Sequence, residues 1–242
     1  MKAAFYAGTT GLIAQQNAID AVGNNLANMT TVGYKPEEVS FRSLLYNHMY
    51  ANTDDKPLTG YGVKEISTGV DFTAGQYQAT GGALDFAIQG DALFAIQNGG
   101  KTEYTRDGQF GISVENGGSY LVTATGAYVL DKNLQKIQVP YLNTTTIDTD
   151  TLRDQLGLFT FRNPSALAPN SSNSFTATAQ SGPATAAAGA TNTVLSRYLE
   201  GSGTSMVDEM TDMIQAQRCY QMCAKVLQTA DEDEQTINSL RK

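Results

Sequence analysis

FYAGTTGLIAQQNAIDAVGNNL, the stretch from Phe5 to Leu26, decides the architecture of the N-terminal part of the chain. Its apolar residues recur at the spacing of a coiled coil. This spacing is typical of a helix whose narrow apolar stripe packs against another helix lying nearly parallel to it. The stretch therefore predicts an N-terminal helix that needs a helical partner. Its packing residues recur every seven positions, with one companion position between them: Phe5, Leu12, Ile19, Val22 and Leu26.

The C-terminal stretch repeats this pattern. A second helix is predicted to begin near Ser205 and to pair with the first as a coiled coil. The acidic run from Asp231 to Glu234 is then either a solvated helix end or a charged surface that faces a channel or a neighbouring subunit. Apolar residues follow the alternation of four and three: Met206, Met210, Met213, Tyr220, Ala224 and Leu227. All of these except Ala224 are the predicted packing residues.

The middle of the chain reads as strands. Apolar residues alternate in its segments, and turn signals rich in Gly, Asn and Asp separate them. Asn116-Gly117-Gly118, which lies between two alternating runs, predicts a β-hairpin. The fold class is therefore α+β, with N- and C-terminal helices pairing as a coiled coil and a central antiparallel β domain. The predicted divisions are an N-terminal helix at 1–35, an extended connector at 36–65, the β domain at 66–165, an extended return segment at 166–200 and a C-terminal helix at 201–242.

The connector contains an apolar cluster beside polar residues. It is too small to fold alone, so we expect it to dock either onto a neighbouring subunit or onto the chain's own β domain. Its expected contact residues are Leu44, Leu45, Tyr46 and Tyr50.

Composition argues against several functions. With 24 acidic and 16 basic residues and a net charge of −8, the chain lacks the basic surface that nucleic-acid binding requires. His48 has no metal-ligand companions, and Cys219 and Cys223 are either small buried apolar residues or a metal or redox pair. We therefore expect no cofactor, no metal site and no enzymatic activity. One alternative is cleavage of sugars by paired carboxylates, for which the candidates are Asp85, Asp91, Glu103 and Asp107.

Four motifs, in this order, resemble the bacterial flagellar rod and hook proteins across almost the whole chain. The first is Asn24-Asn25-Leu26-Ala27-Asn28, followed by Gly33 and Tyr34. The others are ALDFAIQG at 83–90, YTRDGQF at 104–110 and MIQAQRCY at 213–220. The length resembles the rod members more than the hook members, and the connector is similar to that of the distal rod members.

The resemblance implies a structural role. In this family, terminal helices of many subunits pack as an inner tube around an export channel, and β domains form an outer layer. The implied partners are further copies in a helical filament, other rod proteins, the hook protein, ring proteins and the flagellar export apparatus. The implied location is the basal body outside the cytoplasmic membrane. Polar residues interrupt the N-terminal stretch too early for a signal-peptide core, so we expect export without a cleavable leader.

Two other classes remain open at this point. A secreted adhesin could present a β domain on a coiled-coil stalk, and a cell-wall enzyme could use the carboxylates named above. An adhesin would form a closed oligomer through its stalk, whereas a rod protein would polymerise.

We predict that limited proteolysis of the isolated protein trims both terminal helices before the β domain. Gly8, Gly11 and Gly23 each cost about 1 kcal/mol relative to alanine inside a helix, and the N-terminal stripe has no intersubunit partner in a monomer. Mass spectrometry of the fragments identifies the cut sites. Equal resistance of residues 1–28 and the β domain would contradict the prediction.

Overall fold

A computed structural model describes residues 2–48, 58–115, 117–140, 147–187 and 192–240. The chain divides into two compact units. The helical unit comprises Met1–Ala27, Glu37–Thr68 and Ser205–Lys242, and the β unit comprises Asn28–Pro36 and Gly69–Thr204. The α+β class is confirmed, because helices occupy both ends of the chain and antiparallel strands occupy its middle.

Three helices lie in the described part of the chain: α1 (Lys2–Ala27), α2 (Thr149–Gln155) and α3 (Met206–Leu240). Its strands are β1 (Glu37–Ser43), β2 (Tyr46–His48), β3 (Leu58–Gly60), β4 (Val63–Val70), β5 (Tyr77–Ala79), β6 (Phe86–Gln89), β7 (Leu93–Asn98), β8 (Lys101–Thr105), β9 (Phe110–Glu115), β10 (Gly118–Thr123), β11 (Tyr128–Val129), β12 (Leu158–Thr160), β13 (Ala168–Asn170), β14 (Ser174–Thr176), β15 (Thr185–Ala186), β16 (Thr193–Ser196) and β17 (Tyr198–Glu200).

The helical unit combines α1 and α3 with two pairs of strands. Strand β1 pairs with β4, and β2 pairs antiparallel with β3. A hydrogen bond from Leu44 N to Gly62 O, at 2.9 Å, joins the two pairs. The segment for which the sequence predicts an extended connector therefore contains paired strands.

The β unit is built on a sheet in the order β13-β14-β8-β7-β11-β10-β9, with β12 also paired to β7 and β15 to β12. Successive residues of β7 enter different core clusters: Phe94 and Ile96 pack in one, and Leu93 and Ala95 in the other. Side chains alternate across a strand, so the sheet is covered on both faces at β7. This explains why the run Leu93–Ile96 is continuously apolar.

The predicted hairpin is confirmed by the pairing of its two strands, although Asn116 itself lies outside the described residues. Strands β9 and β10 pair antiparallel with Glu115 opposite Gly118, and Gly117 has a φ of +79°, which suits glycine. Phe110 is buried at the start of β9, but Val114, on the same face, is 72% exposed. The tip of the hairpin, near Val114, therefore lies outside the core, although the apolar alternation predicts that this side of β9 is buried.

The segment at 166–200 contributes strands to the β unit. Strand β14 pairs with β8, β16 pairs with β6, and β17 pairs with β5, all antiparallel. The strands of this segment are two to four residues long and mix polar with apolar residues. Periodicity is not visible in strands so short, which is why the sequence predicts only an extended segment there.

A buried ionic cluster joins three distant parts of the β unit. The Glu200 carboxylate accepts from Lys35 Nζ at 2.6 Å and from Arg106 Nη1 at 2.8 Å, and all three side chains are fully buried. Lys35 also donates to Thr73 O at 2.7 Å, and Gly75 N donates to Glu200 Oε1 at 3.0 Å. Burial lowers the pKa of Lys35, and the neighbouring Glu200 charge opposes that shift.

Backbone bonds reinforce the same region. Gly33 N donates to Glu200 O at 2.8 Å, and Gly203 N donates to Tyr34 O at 2.9 Å. Gly33 has a φ of +65°, and a Cβ there would lie 2.6 Å from the Arg106 carbonyl carbon. Only glycine fits this position, so the motif residue Gly33 allows the segment 28–36 to lie against Arg106.

We predict unequal effects of neutralising the two ends of the Lys35–Glu200 ion pair. Glu200→Gln leaves two buried cations without a counter-charge and lowers the free energy of unfolding by about 3–5 kcal/mol. Lys35→Met leaves a balanced Arg106–Glu200 pair and costs less than about half as much. Urea denaturation followed by far-UV circular dichroism measures both.

The double variant Lys35→Met with Glu200→Gln serves as the control. It leaves one buried cation instead of two, so its stability should exceed that of Glu200→Gln. Equal losses in the two single variants would show that the excess positive charge does not determine the stability of the β unit.

Candidate assembly interface

Helix α1 contacts α3 through its smallest residues. A Cβ added to Gly11 would lie 2.9 Å from Cys223 Sγ, and one added to Gly8 would lie 3.6 Å from Leu227 Cδ1. The two glycines therefore let the helices approach closely, which offsets their cost inside a helix. The buried positions along this side of α1 are Gly8, Gly11, Ala14, Ala18 and Asn25.

Asn25 is the polar centre of this contact. Its Nδ2 donates to Glu209 Oε1 and to Glu37 O, both at 3.0 Å, and its Oδ1 accepts from Glu37 N at 3.0 Å. Burial raises the pKa of Glu209, while the hydrogen bond from Asn25 opposes the rise. Because Asn25 meets Glu209 and Gly8 meets Leu227, α1 and α3 run antiparallel.

None of the ten apolar residues predicted for helix packing is fully buried within the chain, and four of them are exposed. Phe5 is 47% exposed on α1, and Met206, Met210 and Tyr220 are 50%, 46% and 37% exposed on α3. The small-residue side of α1 takes the contact with α3, so the larger residues lie at its edges or outside it. The half-buried members of the predicted set are Leu12, Ile19, Val22, Leu26, Met213 and Leu227.

The predicted connector residues lie beside the strand pairs of the helical unit. Leu44 is half-buried, whereas Leu45 and Tyr46 are 85% and 58% exposed. Tyr50 lies outside the described residues. Sequence reasoning did not include Phe41 and Tyr61, which are 43% and 41% exposed and enlarge the apolar surface of this segment.

The motif residues serve local structure. Thr31 N donates to Asn28 O at 3.0 Å, which forms the turn after α1. Asn24 and Ala27 are exposed, and Leu26 is half-buried. The sequence analysis missed Glu200, Glu209 and the packing role of Gly8 and Gly11. Two glycines three residues apart inside a helix were the available signal for a close helix contact.

Two of the candidate carboxylates accept hydrogen bonds that support the fold. Glu103 accepts from Asn170 Nδ2 at 2.8 Å and Ser174 Oγ at 2.7 Å, and Asp85 accepts from Thr80 Oγ1 at 2.6 Å. Cys219 and Cys223 are free thiols of intermediate exposure. Among the residues that the structure describes, no three His, Cys, Asp or Glu side chains are grouped so that they could hold a metal ion.

Neither α1, α2 nor α3 combines the length and apolarity that a membrane-crossing helix needs. What the described surface offers is a set of exposed apolar positions on long helices. This arrangement is suited to contacts between protein chains.

Three family models match successive parts of the chain. The model described as flagella basal body rod protein matches residues 5–35. The flagellar hook protein FlgE/F/G D1 domain matches residues 87–151, and the flagellar basal body rod FlgEFG protein C-terminal model matches residues 195–240. Their order follows the α1, β-unit and α3 regions.

Relatives that align over the full length of the chain are also described as flagellar basal-body rod proteins. The flagellar basal-body rod protein FlgG of Bacillus subtilis is 33% identical over 267 aligned positions that cover all of both chains. FlgG of Borreliella burgdorferi is 32% identical, also over all of both chains. The rod protein FlgF of Caulobacter vibrioides is 30% identical over all of this chain and 99% of its own. The chain therefore belongs to the flagellar basal-body rod protein family.

Proposed function

We propose that this protein is a structural subunit of the distal flagellar rod. Many copies polymerise into a hollow helical shaft that transmits torque and surrounds the export channel. The observation that carries this proposal is the set of apolar residues on α1 and α3 that remain partly exposed in the chain. The full-length similarity to FlgG proteins supports the distal assignment over a proximal-rod or hook-type role.

The two sides of α1 have different roles in this proposal. Its small-residue side, with Gly8 and Gly11, contacts α3 of the same chain. Its larger apolar residues are then available to helices of neighbouring copies, with which they pack as a coiled coil. Full burial of one such side chain stabilises an assembly by about 1.5–3 kcal/mol. Head-to-tail contacts that do not close into a ring give a helical filament.

The proposed partners follow from this role. They are further copies of the chain, other rod proteins, the hook protein, ring proteins and the export apparatus, and the rod is assembled outside the cytoplasmic membrane. Torque is transmitted through packing, so the role requires no catalytic group, cofactor or metal. The exposed Leu45 and Tyr46 of the connector contact neighbouring copies and stiffen the rod.

Localisation tests the proposal directly. Basal bodies purified from cells that make this protein should contain it, and immunogold labelling should place it on the rod next to the hook. Label confined to the proximal rod or to the hook would instead support a proximal-rod or hook-type paralogue. Recovery only as a closed oligomer at the cell surface would overturn the proposal in favour of an adhesin.

We predict that Leu26→Asp or Met213→Asp abolishes rod assembly and swimming while the β unit stays folded. Both side chains are half-buried on the terminal helices, and an unpaired charge buried at a helix contact costs several kcal/mol. Motility assays and circular dichroism of the purified variants measure the two effects. Val114→Asp, on an exposed β-unit strand, is the matched control. Normal swimming by both helix variants would show that these positions are not buried between copies.

We also predict that Leu45→Ser with Tyr46→Ser leaves polymerisation intact but makes the rod bend. Both residues are exposed in the chain, so their replacement should change monomer stability by less than about 0.5 kcal/mol. Electron microscopy of rods and filaments measures the curvature. Ile112→Ser with Val114→Ser, on exposed positions of β9, shows whether any loss of apolar surface has this effect. Straight rods from the connector variant would place the source of stiffness in the helices.

A further inference from the structure

Helix α3 has a second ordered surface, on the side away from α1. Ala216 is buried against α1. Arg218 lies two residues further on, which is about 200° around the helix. Lys225 and Glu232 follow Arg218 at intervals of seven residues, so the three charged side chains share one side of α3. All three are exposed. We refer to this side of α3 as the outer charged face.

The charges of this face have no partner on their own helix. Neither Arg218 nor Lys225 has a carboxylate three or four residues away, where an intrahelical ion pair would form. Arg218, Lys225 and Glu232 make no ion pair with any described residue. A helix in water usually places Glu and Lys at such spacings, so this arrangement does not serve the isolated helix.

Exposed apolar side chains flank the charges. Ile214, Met222 and Val226 are 51%, 59% and 47% exposed. They lie four or eight residues apart, so they form a ridge along the helix that passes through Arg218. An apolar ridge beside ordered charges has the composition of a protein–protein contact rather than of a solvated surface.

We propose that the outer charged face binds the same face of α3 in a second copy, with the two helices parallel and displaced by two heptads. This inference rests on the proposed function, in which all copies in the rod point the same way. A displacement of about 21 Å brings Arg218 of one copy beside Glu232 of the next. A displacement of about 10 Å would bring Lys225 beside Glu232 but also Arg218 beside Lys225, so it is disfavoured. Parallel helices without displacement would instead place like charges side by side.

An antiparallel arrangement centred on Lys225 also matches Arg218 with Glu232. It relates the two copies by a two-fold axis and closes a dimer, which cannot propagate into a filament. The complementary charges therefore select the displaced parallel pair within a rod. They fix the axial offset between neighbouring subunits, in addition to the affinity that apolar burial provides.

Charge reversal tests the proposal in the full chain, in flagellated cells that lack the native copy. Arg218→Glu with Lys225→Glu makes the face uniformly negative, and Glu232→Lys makes it uniformly positive. Each should reduce the amount of protein recovered in basal bodies roughly tenfold, because attraction becomes repulsion at every contact. The triple variant restores complementarity and should recover to within about threefold of the native level. Lys101→Glu with Lys132→Glu, on exposed β-unit positions, controls for net charge.

The outcomes separate this inference from the proposed function. Absence of the unmodified chain from basal bodies would overturn both. If the unmodified chain is present, normal incorporation of either reversed variant, or failure of the triple variant to recover, would overturn the inference alone. A stable solution dimer that Glu232→Lys disrupts would also overturn it, in favour of the antiparallel pair. Circular dichroism confirms that each variant retains its helices.

Discussion

The Glu200 carboxylate is the group on which the arrangement of the β unit depends. It neutralises one of two buried cations, and each of the three charged residues comes from a different part of the sequence. Removing such charges from water is costly, so the cluster contributes little net stability relative to a well-packed apolar core. We interpret its role as specificity. Alternative arrangements of Lys35 or Arg106 would leave a buried cation unpaired, so they are disfavoured even where their apolar packing is adequate.

Small and large side chains occupy different sides of the helices in the helical unit. Glycine and alanine on α1 contact α3, and Asn25 supplies the polar bonds that fix this contact. Larger apolar residues remain at the edges and on the outer sides of both helices. In the proposed function, this exposed apolar surface packs against other copies. The helices would then be less stabilised alone than in the assembly.

Sequence patterns anticipated some of these features and not others. The terminal helices and the β9–β10 hairpin follow from heptad spacing and turn residues, which are local signals. The face by which α1 meets α3 was not anticipated, because Gly8 and Gly11 count as costs until the partner helix is known. The role of Glu200 was also not predicted, because a single acidic residue in a short strand gives no periodic pattern. Its importance comes from Lys35 and Arg106, which are distant in sequence and close only after folding.

The bonds between Gly33 and Glu200 and between Tyr34 and Gly203 place the two ends of the β unit side by side. A domain whose first and last residues are adjacent can be inserted into another structure with little distortion of what surrounds it. In the chain, the β unit in this sense lies between α1 and α3, interrupted by the segment 37–68, which belongs to the helical unit. During evolution, its strands and loops could lengthen, or further domains could be added, while the distance between its two ends stayed the same. One pair of terminal helices could thus carry outer domains of very different size.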